Sequence, residues 1–94
     1  MMKKVELLDF LAPWCTHCHN MTPSIDFLIE QYKDDENVLI RKIDVDVNPE
    51  IAKNYGIRGI PALVFLKDGE EVYRVSGVQT KEKISSKIQE IIEN

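Results

Sequence analysis

An α/β domain is the fold class that this sequence predicts: a mixed four-stranded sheet flanked by three helices, in the order β-α-β-α-β-β-α. Three observations carry that expectation. Short runs of strand-forming residues alternate with segments whose apolar positions recur by threes and fours. The first strand, the long helix and the second strand form a βαβ unit, whose right-handed crossover makes those strands parallel. Asp68-Gly69, between two later strand-like runs, is a hairpin turn signal and adds an antiparallel edge.

Each element has its own signal. Residues 5–11, V-E-L-L-D-F-L, are an apolar run of strand length with one acid inside it, ended by Pro13. Cys18, Met21, Ile25, Leu28, Ile29 and Tyr32 then form a helical stripe. Pro23 falls within that helix and is expected to bend it, because proline removes one backbone donor and crowds the preceding turn. Residues 38–47, V-L-I-R-K-I-D-V-D-V, are rich in β-branched side chains and read as the second strand. N-P-E-I-A-K-N-Y-G suits a short helix, with Asn48 as N-cap, Pro49 at the first helical position and Gly56 near the end. A-L-V-F-L-K and E-V-Y-R-V-S make the hairpin. The last helix carries Ile84, Ile88, Ile91 and Ile92 on one face and Lys and Glu on the others. Helices should therefore cover both faces of the sheet.

The totals narrow the function. Ninety-four residues, 44% of them hydrophobic, make one globular domain spanning 1–94. Twelve basic against sixteen acidic residues give a net charge of −4, which argues against a nucleic-acid partner. The start, M-M-K-K-V-E-L-L-D-F, is interrupted by Glu6 and Asp9, so neither a signal peptide nor a membrane span is expected there. The expected location is cytoplasmic. In a reducing cytosol a lone cysteine pair points to catalysis or metal binding rather than to a structural staple.

Both cysteines and both histidines fall within W-C-T-H-C-H, Trp14 to His19, and this segment can be read three ways. Cys-x-x-Cys-His is a c-type haem attachment signature. Such small cytochromes are mostly helical and exported, however, and Met21 lies too close to His19 to be the opposite axial ligand. Two Cys and two His are also a zinc ligand set. Structural zinc sites usually draw on two separated pairs, because one turn of chain cannot wrap an ion; no second pair follows, so no metal is expected. The third reading is a dithiol redox site. If a helix begins near Cys15, its sulfur sits where unpaired N–H groups and the helix dipole favour a thiolate. Cys18 lies about one turn on, within reach and on the apolar stripe. Cys15 is then the exposed nucleophile, and Cys18 the sheltered, resolving thiol.

Several segments together carry a family resemblance: D-F-L-A-P-W-C-T-H-C at 9–18, Pro23, Lys42, Y-G-I-R-G-I-P at 55–61, and Gly77. From about Val5 to the last helix, the chain resembles the thioredoxin family. It starts directly at the strand leading to the cysteines, and in this it is similar to the shortened thioredoxin-like proteins of archaea and their glutaredoxin-sized relatives. Thr16-His17 stands where ordinary thioredoxins have Gly-Pro. The resemblance implies a thioredoxin fold and a protein-disulfide reductase with no cofactor beyond a redox-active Cys15–Cys18 disulfide. It also implies disulfide-containing client proteins and a thioredoxin-reductase-type electron donor. Nothing in the sequence requires an oligomer, and a monomer is expected.

The resemblance also implies roles. Asp9, in an otherwise apolar strand, should be desolvated and its pKa raised; the matching family acid lies beneath the buried cysteine and carries a proton during exchange. Lys42 matches a lysine that pairs with that acid. Pro61 matches the family's cis-proline, which lets the preceding backbone pair with substrate as an added strand. Trp14, Gly59, Ile60 and Gly77 would form a flat apolar docking patch around Cys15, bordered by Thr16 and His17. A cation at His17 would stabilise a Cys15 thiolate and make the disulfide a stronger oxidant. Two alternatives therefore stand beside the reductase: an oxidising or isomerising dithiol protein, and a glutaredoxin-like, glutathione-dependent reductase. The latter is weakened by the absence of a Gly-Gly pair after the proline-led strand. His19 is expected to be exposed and without a special role.

Overall fold

A computed structural model describes residues 4–94 of the chain. It runs β1 (Val5–Leu11), α1 (Thr16–Tyr32), β2 (Val38–Asp44), α2 (Pro49–Asn54), β3 (Ala62–Lys67), β4 (Glu70–Ser76) and α3 (Lys81–Glu93). The sheet order is β2-β1-β3-β4. β1 pairs parallel with β2 and antiparallel with β3, and β3 pairs antiparallel with β4. The hairpin turns on Asp68 and Gly69 at φ 51° and 90°, the positive values that a tight two-residue turn requires.

Strand alternation distributes the core over two faces. Val5 and Leu7 of β1, with Leu63 and Phe65 of β3, meet Met21, Ile25, Leu28 and Tyr32 of α1 and Ile84, Ile88 and Ile91 of α3. Leu8 and Phe10 point the other way, joining Ile43, Val64 and Leu66 against Ile51, Ala52 and Tyr55. The second cover is thinner, since no residue of α2 is fully buried. Between α1 and α3 the Tyr32 hydroxyl accepts from Gln89 Nε2 at 2.9 Å and lies 3.1 Å from Ser85 Oγ, so this phenol is satisfied at the helix–helix seam.

One boundary needs correction. The second strand ends at Asp44 rather than at residue 47, because the Asp44 carbonyl accepts from the N–H groups of Val47 and Asn48 and turns the chain. Asn48 does occupy the N-cap position of α2, but its side chain makes no capping bond; its Nδ2 donates to the same Asp44 carbonyl. α1 is helical from end to end with Pro23 inside it, the ring on the exposed side.

The N-terminus of α3 is capped by Thr80, whose hydroxyl accepts from Lys83 N–H at 3.2 Å. Thr80→Ala leaves that donor without its partner and is expected to lower stability by about 1 kcal/mol, read from the urea midpoint at constant m-value.

Both outer strands carry charge. β2 presents Arg41, bonded to Glu6 at 3.0 Å, and Lys42. β4 is exposed along almost its whole length and slips register between Phe65 and Leu66, with Tyr73 and Glu71 as consecutive partners and Val72 extra. Arg74 grips Glu71 at 2.6 and 2.8 Å and reaches the Tyr55 carbonyl at the end of α2.

Candidate active site

The site is built around the start of α1. Cys15 is the N-cap, with extended backbone (φ −91°, ψ 105°), and its Sγ accepts the Cys18 N–H at 3.1 Å. This sulfur therefore takes the position usually held by a capping oxygen, facing the unpaired N–H groups of the first helical turn. The loop before it is tied at three points. Cys15 N–H donates to the Ala12 carbonyl, Val45 N–H to the Leu11 carbonyl, and the His19 ring, from Nε2, to the Pro13 carbonyl at 2.6 Å. His19 is exposed, as expected, but it has a part after all: it fastens the Pro13 turn to the helix.

Cys15 and Cys18 are joined by a disulfide, with their Cα atoms 5.2 Å apart. Exposure does not separate the two as expected, for Cys15 is 6% and Cys18 5% exposed. The bonded sulfurs pack together with Ala12 against Leu11, Val45 and Ile60, which covers both. Their surroundings differ instead. Cys15 is flanked by exposed Trp14, Thr16 and His17, whereas Cys18 begins the buried stripe that continues through Met21 and Ile25.

A second loop closes the site from β3. The Ile60–Pro61 peptide is cis. Pro61 is buried, Ile60 packs on the cysteine cluster, and Gly59 is exposed. The Pro61 carbonyl accepts from Gly77 N–H at 2.9 Å, where Gly77 leaves β4 with φ 88°, a conformation that side-chain-bearing residues rarely adopt. Trp14 is 67% exposed, and its indole N–H donates to Asp46 Oδ2 at 2.9 Å. Asp46 was hidden in the sequence because D-V-D-V read as strand. Its signal is the acid pair Asp44-x-Asp46, whose first member supplies an Asx turn by accepting Asp46 N–H.

Asp9 lies on the sheet face shared with Val5 and Leu7, and is 4% exposed. Its Oδ1 meets no hydrogen-bond donor of the chain among the described residues. Burial pushes its pKa up from 3.8 to about 6, while Lys42 pulls it down and Asp26 pushes it up. Lys42 is the register partner of Asp9 on β2, yet it does not hydrogen-bond to it: its Nζ lies 2.5 Å from Asp26 Oδ1 of α1. That corrects the expected pairing, and the reason is solvation. The long lysine stem carries its charge to a half-exposed carboxylate, avoiding the desolvation that burial beside Asp9 would demand. Among the described residues no three His, Cys, Asp or Glu side chains gather as a metal site.

A family model described as Thioredoxin matches residues 1–90. The chain belongs to the thioredoxin family. It is 41% identical over 86 residues to the thioredoxin of Porphyra purpurea, covering 92% of this chain and 78% of that one. It is 41% identical over 80 residues to thioredoxin 1 of Synechococcus elongatus, covering 85% and 73%. A solved variant thioredoxin from Halobacterium salinarum superposes with a TM-score of 0.85 at 38% identity, over 95% of this chain and 75% of that one. The fold is therefore the thioredoxin fold. With its Cys15–Cys18 pair this thioredoxin is a thiol-disulfide oxidoreductase working by dithiol exchange, on disulfide substrates and with a thioredoxin reductase as the family's electron donor. Thioredoxins use no cofactor beyond the redox-active disulfide. No described helix of this thioredoxin is long and apolar enough to cross a membrane.

Proposed function

We propose that this thioredoxin works in the cytoplasm as a monomeric reductase of protein disulfides, with Cys15 as nucleophile and Cys18 as resolving thiol. The observation that carries the assignment is the N-cap position of Cys15 Sγ, where the first-turn N–H groups stabilise a thiolate. The Cys15 thiolate attacks one sulfur of a client disulfide. The client's S–S bond breaks, a Cys15–client mixed disulfide forms, and the departing client thiolate takes up a proton. Cys18 then gives its proton to the Asp9 carboxylate and attacks Cys15 Sγ. The second client thiolate leaves and the Cys15–Cys18 disulfide closes, so two electrons have passed to the client. A thioredoxin-reductase-type donor restores the dithiol.

The client chain lies along Gly59-Ile60, ahead of cis-Pro61, on the apolar surface completed by Trp14 and Gly77 and bordered by Thr16 and His17. Trp14 held by Asp46 and Gly77 held on Pro61 support that reading, because both fix an exposed surface beside the reacting sulfur. Lys42 acts on Asp9 through its charge.

The direction of exchange is tested by the reduction potential, equilibrated against a defined thiol buffer. A reductase is expected near the thioredoxin value of about −270 mV. A potential near the isomerase value of about −180 mV would mean that Thr16-His17 controls the couple, and would replace this proposal with the oxidising or isomerising alternative.

A further inference from the structure

Asp9 and Lys42 occupy paired register positions on neighbouring parallel strands and present the same sheet face, the one covered by α1. A lysine so placed has a buried carboxylate within its range. It nevertheless gives its charge to Asp26, 2.5 Å away on the flank of α1, while Asp9 Oδ1 meets no donor among the described residues. Asp26 is not part of the buried stripe: Ile25 before it and Leu28 after it are buried, and Asp26 itself is exposed. Its carboxylate has no packing task at this position. What it does is compete with Asp9 for the Lys42 cation.

We infer that Asp26 is a positioning residue for the exchange reaction: it draws the Lys42 ammonium away from Asp9 and so sets how tightly the buried carboxyl holds its proton. The inference rests on the proposed role of Asp9 as proton carrier, and extends it to the residue that tunes the carrier. The charged groups that bear on Asp9 are Lys42 from β2 and Asp26 from α1. Its β3 register partner is Leu63, and α3 buries only isoleucines on this side. The mechanism is an exchange of partners. With Asp26 charged, Lys42 is engaged outward and Asp9 feels burial. With an uncharged side chain at position 26, Lys42 is released to swing onto Asp9 and favour its ionised form.

The test is Asp26→Asn, an isosteric change at an exposed helix position, read by a carboxyl-carbon NMR titration of Asp9 in the oxidised protein. The Asp9 midpoint is expected to fall from about 6 by about one unit, the lower end of the effect of an opposite charge beside an acid. The same change made in a Lys42→Met background should move the midpoint by less than half as much, since only the direct charge of Asp26 remains to be lost. Equal shifts in the two backgrounds would overturn the exchange of partners, and so would an unmoved midpoint in Asp26→Asn alone. The pH profile of disulfide reduction then separates the two readings. If it follows the Asp9 midpoint, both stand. If the midpoint moves and the profile does not, the tuning by Asp26 stands and the proton role of Asp9 fails.

Discussion

Cys18→Ser is expected to convert this protein from a catalyst into a trap. Client disulfides are still opened by Cys15, but the mixed disulfide then waits for an external thiol. Intramolecular partners reach effective concentrations of about 10⁵ M or more, so resolution by millimolar thiol should be slower by up to about 10⁸-fold. Intact mass under non-reducing conditions should show a client adduct on Cys15. Cys15→Ser should form none, and serine is itself a good N-cap, so the helix start survives the change and serves as a control. Stable adducts on Cys18 in Cys15→Ser, turned over by Cys15 in the wild type, would reverse the assignment of the two thiols.

Asp9→Asn should make the protein more stable at neutral pH while slowing it. The carboxyl binds its proton more tightly folded, at about 6, than at its ordinary 3.8. Between those values the folded state keeps a proton that the unfolded state has released, so stability falls as pH rises from about 4 to about 6. Above that window the charged, buried Asp9 costs about 3 kcal/mol, which the amide does not incur. Urea unfolding should therefore show a gain of about 2 to 3 kcal/mol at pH 8, shrinking towards zero at pH 4. The amide cannot accept a proton from Cys18, so release of the client from the mixed disulfide should slow over the same pH range. A pH-independent stability difference would show that desolvation is not what raises this group.

These two positions also show what a linear chain reveals. Asp9 could be read from its sequence neighbours, because Val5, Leu7, Leu8 and Phe10 announce a buried strand and any acid inside it inherits the environment. The helical stripe from Cys18 to Tyr32, the Asp68-Gly69 hairpin and the isoleucine face of α3 were legible for the same reason: local period determines which side is buried. Partners distant along the chain were not. Lys42 meets Asp26 across sixteen positions, and Trp14 meets Asp46 across thirty-two, through contacts that exist only once β1, β2 and α1 are packed. The end of β2 is not legible locally, because Val45 and Val47 are strand formers, yet the Asp44 carbonyl gathers three nearby donors and bends the backbone. The burial of Cys15 is not legible in its sequence neighbours, because Val45 and Ile60, which pack on the cysteine cluster, arrive from other segments of the chain.

The register slip in β4 bears on how the molecule behaves in a crowd. If extended client chains lie along Gly59-Ile60, as proposed above, the molecule must welcome a foreign strand there and refuse it elsewhere. An open sheet border offers unpaired N–H and C=O groups to any passing chain and invites sheet-to-sheet aggregation. On β4 the extra Val72 breaks the even spacing that a new strand would need, and the Glu71–Arg74 pair stands beside the break. On β2 Arg41 and Lys42 bring charge to the border. Both borders of the sheet thus resist the addition of a further strand, so that a client docked as proposed would be a visitor and not the first link of a fibre.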